Sequence, residues 1–235
     1  MSIEPLWCVV PAAGHGARFG ADRPKQYVEI DGRSLLEWTL TALAVSPHVA
    51  AILLVLAAED VQWRGRDSFA GKPLRTTIGG AQRSASVLAG LRALPPRVAP
   101  ADFVLVHDAA RPCISCVDID RLVERAVPAG GGLLAAPLRD TLKRADADGR
   151  VAATEPRETR WRALTPQLFT RGALEAALTR AQTDGVEITD EAMAMERTGH
   201  APLLVEGDER NIKVTTPADL AVVQAMLQGM PATVR

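Results

Sequence analysis

Short apolar runs alternate with amphipathic stretches along most of this chain. The apolar runs are rich in Val, Leu and Ile, have the length of strands, and occupy residues 6–10, 51–56, 74–78, 103–106, 133–136 and 202–205. Apolar residues recur at helical spacing over residues 34–45, 83–94, 117–127, 171–183, 190–197 and 217–227. This alternation predicts βαβ units, and therefore an α/β fold in which helices flank a mainly parallel, twisted sheet.

The starts of several predicted helices carry residues that suit a helix terminus. Ser34 and Asp118 are expected as N-caps, because their side-chain oxygens can accept hydrogen bonds from the free N–H groups of the first turn. Pro217 suits a first turn, where the missing N–H of proline is not needed. A further short strand is expected at residues 211–214, and it would carry Lys213.

Residues 137–162 interrupt the alternation and have the pattern of an extended hairpin. A polar turn at 146–149 separates two charged segments that contain few large apolar residues. Because a two-stranded arm is marginally stable in water, we expect it to pack on other structure, most simply a second subunit of a homodimer. The alternative is a flexible surface excursion, and composition alone favours neither.

Composition narrows the class of protein further. The 235 residues are 47% hydrophobic, as in globular proteins, and the net charge of −1 provides no overall field that favours nucleic acid or a membrane. There is no linker rich in Gly, Ser or Pro, so we expect one domain over 1–235 with the arm at about 137–162. No apolar run has membrane-spanning length and no signal-like segment begins the chain, which predicts a cytoplasmic protein.

The cysteines give no clear function. Cys8 lies in an apolar run, and Cys113 and Cys116 form a lone C-x-x-C. A redox or zinc site would need partners such as His107, so reduced, incidental thiols are the favoured interpretation.

Residues 11–25 form a glycine-rich segment directly after the first predicted strand. Its three glycines allow backbone N–H groups to approach a bound anion, and Arg18 and Lys25 add full positive charges. The dinucleotide fingerprint is excluded because the third glycine, Gly20, comes one residue late, and no Walker A sequence is present. The segment therefore indicates a polyphosphate loop of another kind; the alternative is a turn with solvated charges.

A second polar segment follows the apolar run at 103–106. His107, Asp108 and Arg111 come at the end of this predicted strand, where ligands of parallel sheets bind. Asp108 is suited to a Mg²⁺-associated role and Arg111 to binding a phosphate in bidentate fashion. A local Asp108–Arg111 ion pair that shapes a turn explains the same residues equally well. Residues 11–25 and 107–112 should in either case lie on one edge of the sheet.

Two further features carry weaker signals. A Gly79–Gly80 pair ends a strand and Arg83, Ser84 and Ser86 open a helix, so this turn could read a base edge or be a capped turn only. Asp190 and Glu191 also open a helix, and a favourable interaction with the helix dipole is enough to explain them.

The motifs taken together resemble a known family, 2-C-methyl-D-erythritol 4-phosphate cytidylyltransferase of the non-mevalonate isoprenoid pathway. They are, in chain order, PAAGHGARFGADRPKQY, HDAARP, APLRDTLKR, ALTPQ, ITDEA and VEGDERNIKVTTPADL. The glycine loop alone marks the wider sugar-nucleotidyltransferase group, whereas HDAARP with ALTPQ and ITDEA is much more specific. The resemblance covers about residues 8–227 and implies a Rossmann-like nucleotidyltransferase fold without the cyclodiphosphate synthase domain that is fused in some relatives.

The activity that the resemblance implies is transfer of a cytidylyl group from CTP to methylerythritol phosphate, with Mg²⁺ as cofactor and release of pyrophosphate. Transfer to another polyol phosphate, such as ribitol 5-phosphate, is the closest alternative, and a nucleotide-binding regulator that kept the fold is another. A homodimer formed through the arm is also implied, and neither nucleic acid nor a membrane is an expected partner.

Matching the family's motifs to this sequence implies a role for each site residue. Those expected at CTP are Pro11, Ala12, Ala13, Gly14, His15, Gly16, Lys25, Gly80, Ser86, Asp108 and Ala109, with the loop N–H groups of residues 12–16 pointing inward. Those expected at the acceptor phosphate are Asp108, Arg111, Thr141, Arg157, Thr165 and Lys213. Catalysis is assigned to Arg18, Lys25, Arg157 and Lys213, and the metal to Asp108. Ala81 departs from the acid that many relatives carry, which leaves one base or ribose contact in doubt.

Overall fold

Strands and helices alternate along the computed structural model, which describes residues 5–14, 19 and 24–229. The strands are β1 (Leu6–Pro11), β2 (Glu29–Ile30), β3 (Arg33–Ser34), β4 (Val49–Leu56), β5 (Ser68–Phe69), β6 (Lys72–Ile78), β7 (Phe103–Val106), β8 (Gly132–Pro137), β9 (Leu142–Ala145), β10 (Val151–Glu155), β11 (Trp161–Thr170) and β12 (Leu203–Glu206). The α-helices are α1 (Leu35–Val45), α2 (Arg83–Ala93), α3 (Cys116–Ala126), α4 (Arg171–Thr183), α5 (Glu191–Glu196) and α6 (Pro217–Gln228), and a 3₁₀ turn covers Lys25–Tyr27. None of the helices in these ranges is long and apolar enough to cross a membrane.

The central sheet has eight strands in the order β12-β8-β11-β7-β1-β4-β6-β5. Strands β7, β1, β4 and β6 run parallel to one another, and β12 runs parallel to β8. Strand β11 lies antiparallel between β7 and β8. The predicted α/β fold with a mainly parallel sheet is confirmed, and the carboxyl ends of β7, β1, β4 and β6 meet at one edge.

Both faces of this sheet are covered by helices, because its strands are apolar on both sides. Val10 belongs to a buried cluster with Leu40 of α1 and Leu122 of α3. Its neighbour Val9 points to the opposite face and joins a cluster with Leu88 of α2 and residues of α4. Successive residues of β1 therefore pack into helical layers on opposite faces of the sheet. This packing fixes the position of the carboxyl end of β1.

One predicted helix cap is confirmed and one is wrong. The Ser34 hydroxyl accepts a hydrogen bond from the Glu37 N–H at 3.2 Å, and the Glu37 carboxylate accepts from the Ser34 N–H at 2.8 Å. Asp118 is not an N-cap, because α3 begins earlier and Ser115 caps it by accepting from the Asp118 N–H at 3.1 Å. Both residue types suit a cap, and the chain uses the one that comes first.

The segment 137–162 contains a separate two-stranded hairpin, in which β9 pairs antiparallel with β10. Most of its side chains are exposed, Val151 to 65%. The hairpin is shorter than expected, because Trp161 and Arg162 already pair with β8 in the central sheet. Its use in dimerisation stays a prediction.

The expected strand at 211–214 is wrong. These residues have no regular secondary structure and join no sheet, and the Val214 N–H donates instead to the Ala110 carbonyl at 2.9 Å. This contact ties the segment that carries Lys213 to the loop after β7.

Candidate active site

A cavity of about 490 Å³ opens at the carboxyl edge of the parallel strands. Its wall consists of the residues that follow β1, β6 and β7 together with the segment that carries Lys213. The lining residues are Pro11, Ala12, Ala13, Gly14, Lys25, Gln26, Gly80, Ala81, Gln82, Arg83, Ser86, Asp108, Ala109, Ala110 and Lys213. The glycine-rich segment and the segment after β7 thus lie on one edge of the sheet, as predicted.

The described part of the glycine-rich loop continues the sheet at Ala12. The Ala12 N–H donates to the Val55 carbonyl at 2.7 Å, and the Ala12 carbonyl accepts from Gln26 Nε2 at 2.7 Å. The expectation that the loop N–H groups point inward is therefore wrong at Ala12, whose N–H extends the pairing of β1 with β4. His15, Gly16 and Arg18 lie outside the described residues.

Lys25 reaches the cavity from the 3₁₀ turn that follows this loop. Its ammonium donates to the Val214 carbonyl at 2.7 Å. The contact brings Lys25 and the segment of Lys213 to the same wall, although the two lysines are far apart in sequence.

The Gly79–Gly80 turn packs closely against the opposite wall. A Cβ on Gly79 would lie 2.6 Å from Ser86 Oγ and 2.8 Å from the Ala13 Cβ, so a larger residue does not fit. The Gly80 N–H donates to Ser86 Oγ at 3.2 Å. Ser86 is buried, and its hydroxyl reaches the carbonyls of Gly80 and Gln82. The turn lines the cavity, but the capped turn expected from the sequence is wrong, since no described side chain caps the start of α2. The reading of a base edge by this turn stays a prediction.

Asp108 is the centre of the charged part of the site. Its Oδ1 accepts from Arg83 Nε at 2.9 Å, and its Oδ2 lies 3.3 Å from Arg111 Nε and 2.9 Å from Lys213 Nζ. Burial would raise the pKa of Asp108, but Arg83, Lys213 and Arg111 together hold it well below its usual value. Asp108 is therefore a carboxylate at neutral pH. The local Asp108–Arg111 pair expected from sequence forms, and it lines the site as well.

A smaller cavity of about 200 Å³ adjoins the first and shares Arg83, Asp108 and Lys213 with it. Arg111 and Thr165 line this second cavity. Arg111 is held rigidly, since it also donates to the Asn211 carbonyl at 2.6 Å. Burial is the main reason why the pKa of Arg111 is lowered. The two cavities together offer adjoining spaces with Asp108 and Lys213 at their junction.

His107 is fully buried behind this junction and fixes the geometry of Thr165. Its Nε2 lies 3.0 Å from the Arg111 carbonyl, which can only accept, so Nε2 carries the proton. Nδ1 then accepts from the Thr165 hydroxyl at 3.0 Å, and Thr165 Oγ1 accepts from the Asp108 N–H at 3.0 Å. Burial lowers the pKa of His107 to about 4. The neutral ring therefore holds the backbone of Asp108 in place through Thr165.

Comparison with known proteins decides the family. The sequence profile of 2-C-methyl-D-erythritol 4-phosphate cytidylyltransferase matches residues 6–229. The chain belongs to the 2-C-methyl-D-erythritol 4-phosphate cytidylyltransferase family. It is 61% identical over 217 residues to the cytidylyltransferase of Stenotrophomonas maltophilia (strain R551-3), covering 92% of this chain and 93% of that one. It is 58% identical over 218 residues to that of Xanthomonas axonopodis pv. citri (strain 306), covering 92% and 82%.

Solved structures of cytidylyltransferases share the fold. A 4-diphosphocytidyl-2C-methyl-D-erythritol synthase superposes with a TM-score of 0.81 at 38% identity, over 95% of this chain and 99% of that chain. The Francisella tularensis cytidylyltransferase superposes with a TM-score of 0.80 at 32% identity, over 94% and 99%. These matches confirm the Rossmann-like nucleotidyltransferase fold expected from the resemblance.

Two residues that the resemblance assigned to the acceptor do not reach either cavity of this chain. Thr141 is exposed in the loop before β9, and Arg157 is exposed in the loop after β10. The Arg157 guanidinium donates to the Arg139 carbonyl, and Arg139 pairs with Glu209 at 2.6 Å. Within a single chain these residues therefore belong to the arm, and their role at the acceptor stays a prediction.

Sequence reasoning missed two residues that hold the cytidylyltransferase site together. Glu191 was attributed to the helix dipole, yet it is 1% exposed and receives two hydrogen bonds from Arg83. Asn211 is fully buried and donates to the Thr165 carbonyl at 2.7 Å. Glu191 lies in the ITDEA motif and Asn211 in VEGDERNIKVTTPADL, but neither motif reveals these partners, because both contacts join segments far apart in the chain.

The described residues fit a metal that is held mainly by a ligand. They contain no group of three or more His, Cys, Asp or Glu side chains placed to chelate a metal, and Asp108 is the only acid among the described residues of the larger cavity. Mg²⁺ typically uses one or two carboxylates together with substrate phosphates, so one carboxylate is enough.

In the C-x-x-C, burial raises the pKa of Cys113 to about 11, which disfavours a reactive thiolate.

Proposed function

We propose that this protein transfers the cytidylyl group of CTP to 2-C-methyl-D-erythritol 4-phosphate, forming 4-diphosphocytidyl-2-C-methyl-D-erythritol and pyrophosphate. The observation that carries the proposal is the pair of adjoining cavities that share Asp108, Arg83 and Lys213, in a chain of this family. The larger cavity suits a nucleotide and the smaller one a polyol phosphate. Pyrophosphate release from CTP in the presence of the acceptor tests the proposal.

The chemistry requires no general base. An anionic oxygen of the acceptor phosphate forms a bond to the α-phosphorus of CTP, and the bond from this phosphorus to the bridging oxygen breaks as pyrophosphate leaves. The nucleophile is already deprotonated, so the protein has to bring two anions together and offset their charge. This agrees with a site that contains several cations and in which His107 is buried behind the cavities.

Lys25 and Arg18 are proposed to offset charge on the α-phosphate and on the departing pyrophosphate. Lys25 lines the larger cavity and is held at the Val214 carbonyl, so its ammonium is close to any phosphate bound there. A fixed cation stabilises developing charge at little reorganisation cost. Pro11, Ala12, Ala13 and Gly14 would form the wall behind the phosphates. His15 and Gly16 are also proposed to contact CTP, on the family resemblance alone.

The base and ribose are proposed to lie on the Gly80 side of the larger cavity. Gly80, Ser86 and Ala109 line it, and Ala81 offers no side-chain donor or acceptor at the position where many relatives carry an acid. We therefore expect backbone groups of this turn to make the contacts with cytosine.

The acceptor phosphate is proposed to bind in the smaller cavity between Arg111 and Lys213, with Thr165 and Asp108 in its wall. The Lys213 ammonium pairs with the Asp108 carboxylate. A phosphate bound in this cavity would share the ammonium with Asp108. Mg²⁺ is proposed as the cofactor: bound to CTP phosphates with Asp108 as the protein carboxylate, it would supply further neutralisation of phosphate charge.

We also propose that the chain is one domain that works as a homodimer in the cytoplasm. The family profile spans residues 6–229. Thr141 precedes the exposed hairpin and Arg157 follows it, and these residues line neither cavity of their own chain. Contact with the acceptor site of a second subunit would give both residues their expected role.

A further inference from the structure

Three charged side chains are linked in series, from the buried carboxylate of Glu191 through Arg83 to Asp108. Glu191 Oε1 accepts from Arg83 Nη1 at 2.6 Å, and Oε2 accepts from Nη2 at 3.1 Å. Arg83 Nε then donates to Asp108 Oδ1 at 2.9 Å. One guanidinium therefore joins an acid outside both cavities to the acid that the two cavities share.

The helix dipole does not account for Glu191. Helix α5 already has an N-cap, since the Asp190 carboxylate accepts from the Met193 N–H at 2.9 Å. Glu191 is turned away from the helix terminus toward Arg83 and is excluded from water. Keeping a carboxylate in such a place is costly unless it is paired and hydrogen-bonded, and here Arg83 provides both.

Arg83 is oriented by its two acidic partners. All three of its donor nitrogens have a carboxylate partner, and the planar fork of a guanidinium fixes their relative directions. Burial would lower the pKa of Arg83, but Glu191 and Asp108 raise it, so its charge is permanent. Nη1 and Nη2 bind Glu191, and Nε is the nitrogen that binds Asp108.

The orientation of Asp108 depends on this arrangement. Arg83 binds Oδ1, whereas Arg111 and Lys213 approach Oδ2, so the two oxygens are held by different cations. Loss of the Oδ1 contact would leave the carboxylate free to rotate toward Arg111 and Lys213. Arg83 would also become available to bind a phosphate in either cavity, which it lines.

We propose that Glu191 is a positioning residue for the transfer reaction, because it anchors Arg83 and thereby fixes the Asp108 carboxylate at the junction of the two cavities. The proposal rests on the cytidylyltransferase function proposed above. Since a misplacement of about 1 Å can cost ~10²-fold in rate, we expect Glu191→Met to lower kcat by about that factor. The KM for CTP should change by less than about threefold, because Glu191 touches neither cavity.

The test is a double-mutant cycle on Glu191→Met, Arg83→Met and the double variant, with kcat, KM and the urea midpoint measured for each. Each single variant leaves a buried charge poorly paired and should be less stable, whereas the double variant removes both charges and should regain stability. If the pair positions Asp108, kcat stays low in the double variant. If the double variant regains both stability and kcat, the pair is only structural and the proposal is wrong.

A matched control comes from the same helix. Arg92 of α2 pairs with Glu175 of α4 at 3.3 Å on the surface, and Arg92→Met should change neither kcat nor the urea midpoint appreciably. Glu191→Gln keeps the shape of the side chain and one acceptor oxygen, and it replaces Glu191→Met in the cycle if that variant does not fold. Its kcat should lie between those of the wild type and the double variant.

A crystal structure of the Glu191 variant separates this proposal from the proposed function. The Arg83–Asp108 contact should be lost or lengthened and the Asp108 carboxylate rotated. An unchanged Asp108 would contradict the positioning role whether or not the wild type turns over. Absence of turnover in the wild type would instead contradict the proposed function, and the position of Asp108 would still decide the role of Glu191.

Discussion

The Lys213 ammonium lies 2.9 Å from Asp108 Oδ2, at the junction of the two cavities. Lys213 belongs to an irregular segment without sheet partners, and this segment is tied to the loop after β7 through the Val214–Ala110 hydrogen bond. The contact joins two segments that are about a hundred residues apart in sequence. In the proposed function, the acceptor phosphate shares this cation with Asp108.

Lys213→Ala should therefore weaken use of the acceptor selectively. Hydrogen bonds to charged groups contribute about 1.5–3 kcal/mol, so kcat/KM for the acceptor should fall ~10–100-fold while the KM for CTP changes little. Steady-state kinetics with each substrate varied in turn measure both effects. Arg210→Ala is the matched control, because Arg210 is exposed and pairs with Asp208 instead. Equal changes for both substrates would contradict the assignment.

Lys25→Ala should reduce the rate of transfer without unfolding the protein. Loss of one well-placed donor to developing charge typically costs about 10²–10³-fold in kcat. Circular dichroism should show the wild-type fold. Lys72→Ala serves as the control, since Lys72 begins β6 at the opposite edge of the sheet and contacts the Ser46 carbonyl. Near-normal turnover of the Lys25 variant would remove Lys25 from the mechanism.

Much of the fold follows from short-range patterns in the sequence. Strand β7 and helix α4 have the predicted bounds, because an apolar run buried on both faces and an amphipathic stretch after a turn are strong local signals. The place of β11 between β7 and β8 could not be predicted. Strand order and direction depend on pairing between distant segments, and no local pattern in a single chain records that pairing.

The site was predictable where function needs unusual residue types close together. The glycine-rich loop and the HDAARP segment were found for that reason, and both line the cavity. Glu191 was missed because an acid at a helix start has an ordinary local explanation. Its burial against Arg83 arises only when α5 packs near the start of α2, which is a long-range event.

Arg157→Ala should raise the KM for the acceptor by about tenfold or more and leave the KM for CTP nearly unchanged. The reason is its proposed contact with the acceptor of the neighbouring subunit. Arg144→Ala tests the same arm without this contact, because Arg144 pairs with Glu155 inside the hairpin at 2.9 Å. A similar effect on both substrates would argue against the role.

Activity should also depend on protein concentration if the arm completes a neighbouring site. Dilution below the dimer dissociation constant should lower the specific activity, and analytical ultracentrifugation should show monomers over the same range. A monomeric protein with full specific activity would exclude the dimeric site and leave the single-chain cavities intact.

Stability should fall as the pH drops from about 6.5 to about 4 because His107 is buried in its neutral form. Its pKa is lowered from 6.5 to about 4, so in this window the unfolded chain binds a proton that the folded chain does not. The stabilisation lost is on the order of 3 kcal/mol. Urea unfolding at several pH values measures the slope of the unfolding free energy against pH. In His107→Gln this slope should be smaller by the contribution of one proton, because glutamine does not titrate in this window. Identical slopes would contradict this account, as would an NMR titration of His107 near pH 6.5.

The most direct test of the central claim is pyrophosphate release from CTP and Mg²⁺, measured with 2-C-methyl-D-erythritol 4-phosphate and with ribitol 5-phosphate in parallel. The account predicts release that depends on methylerythritol phosphate, with little or none from ribitol 5-phosphate. Preference for ribitol 5-phosphate would contradict the assigned acceptor and preserve the chemistry. No release with either acceptor, despite measurable binding of CTP, would contradict the transfer reaction itself.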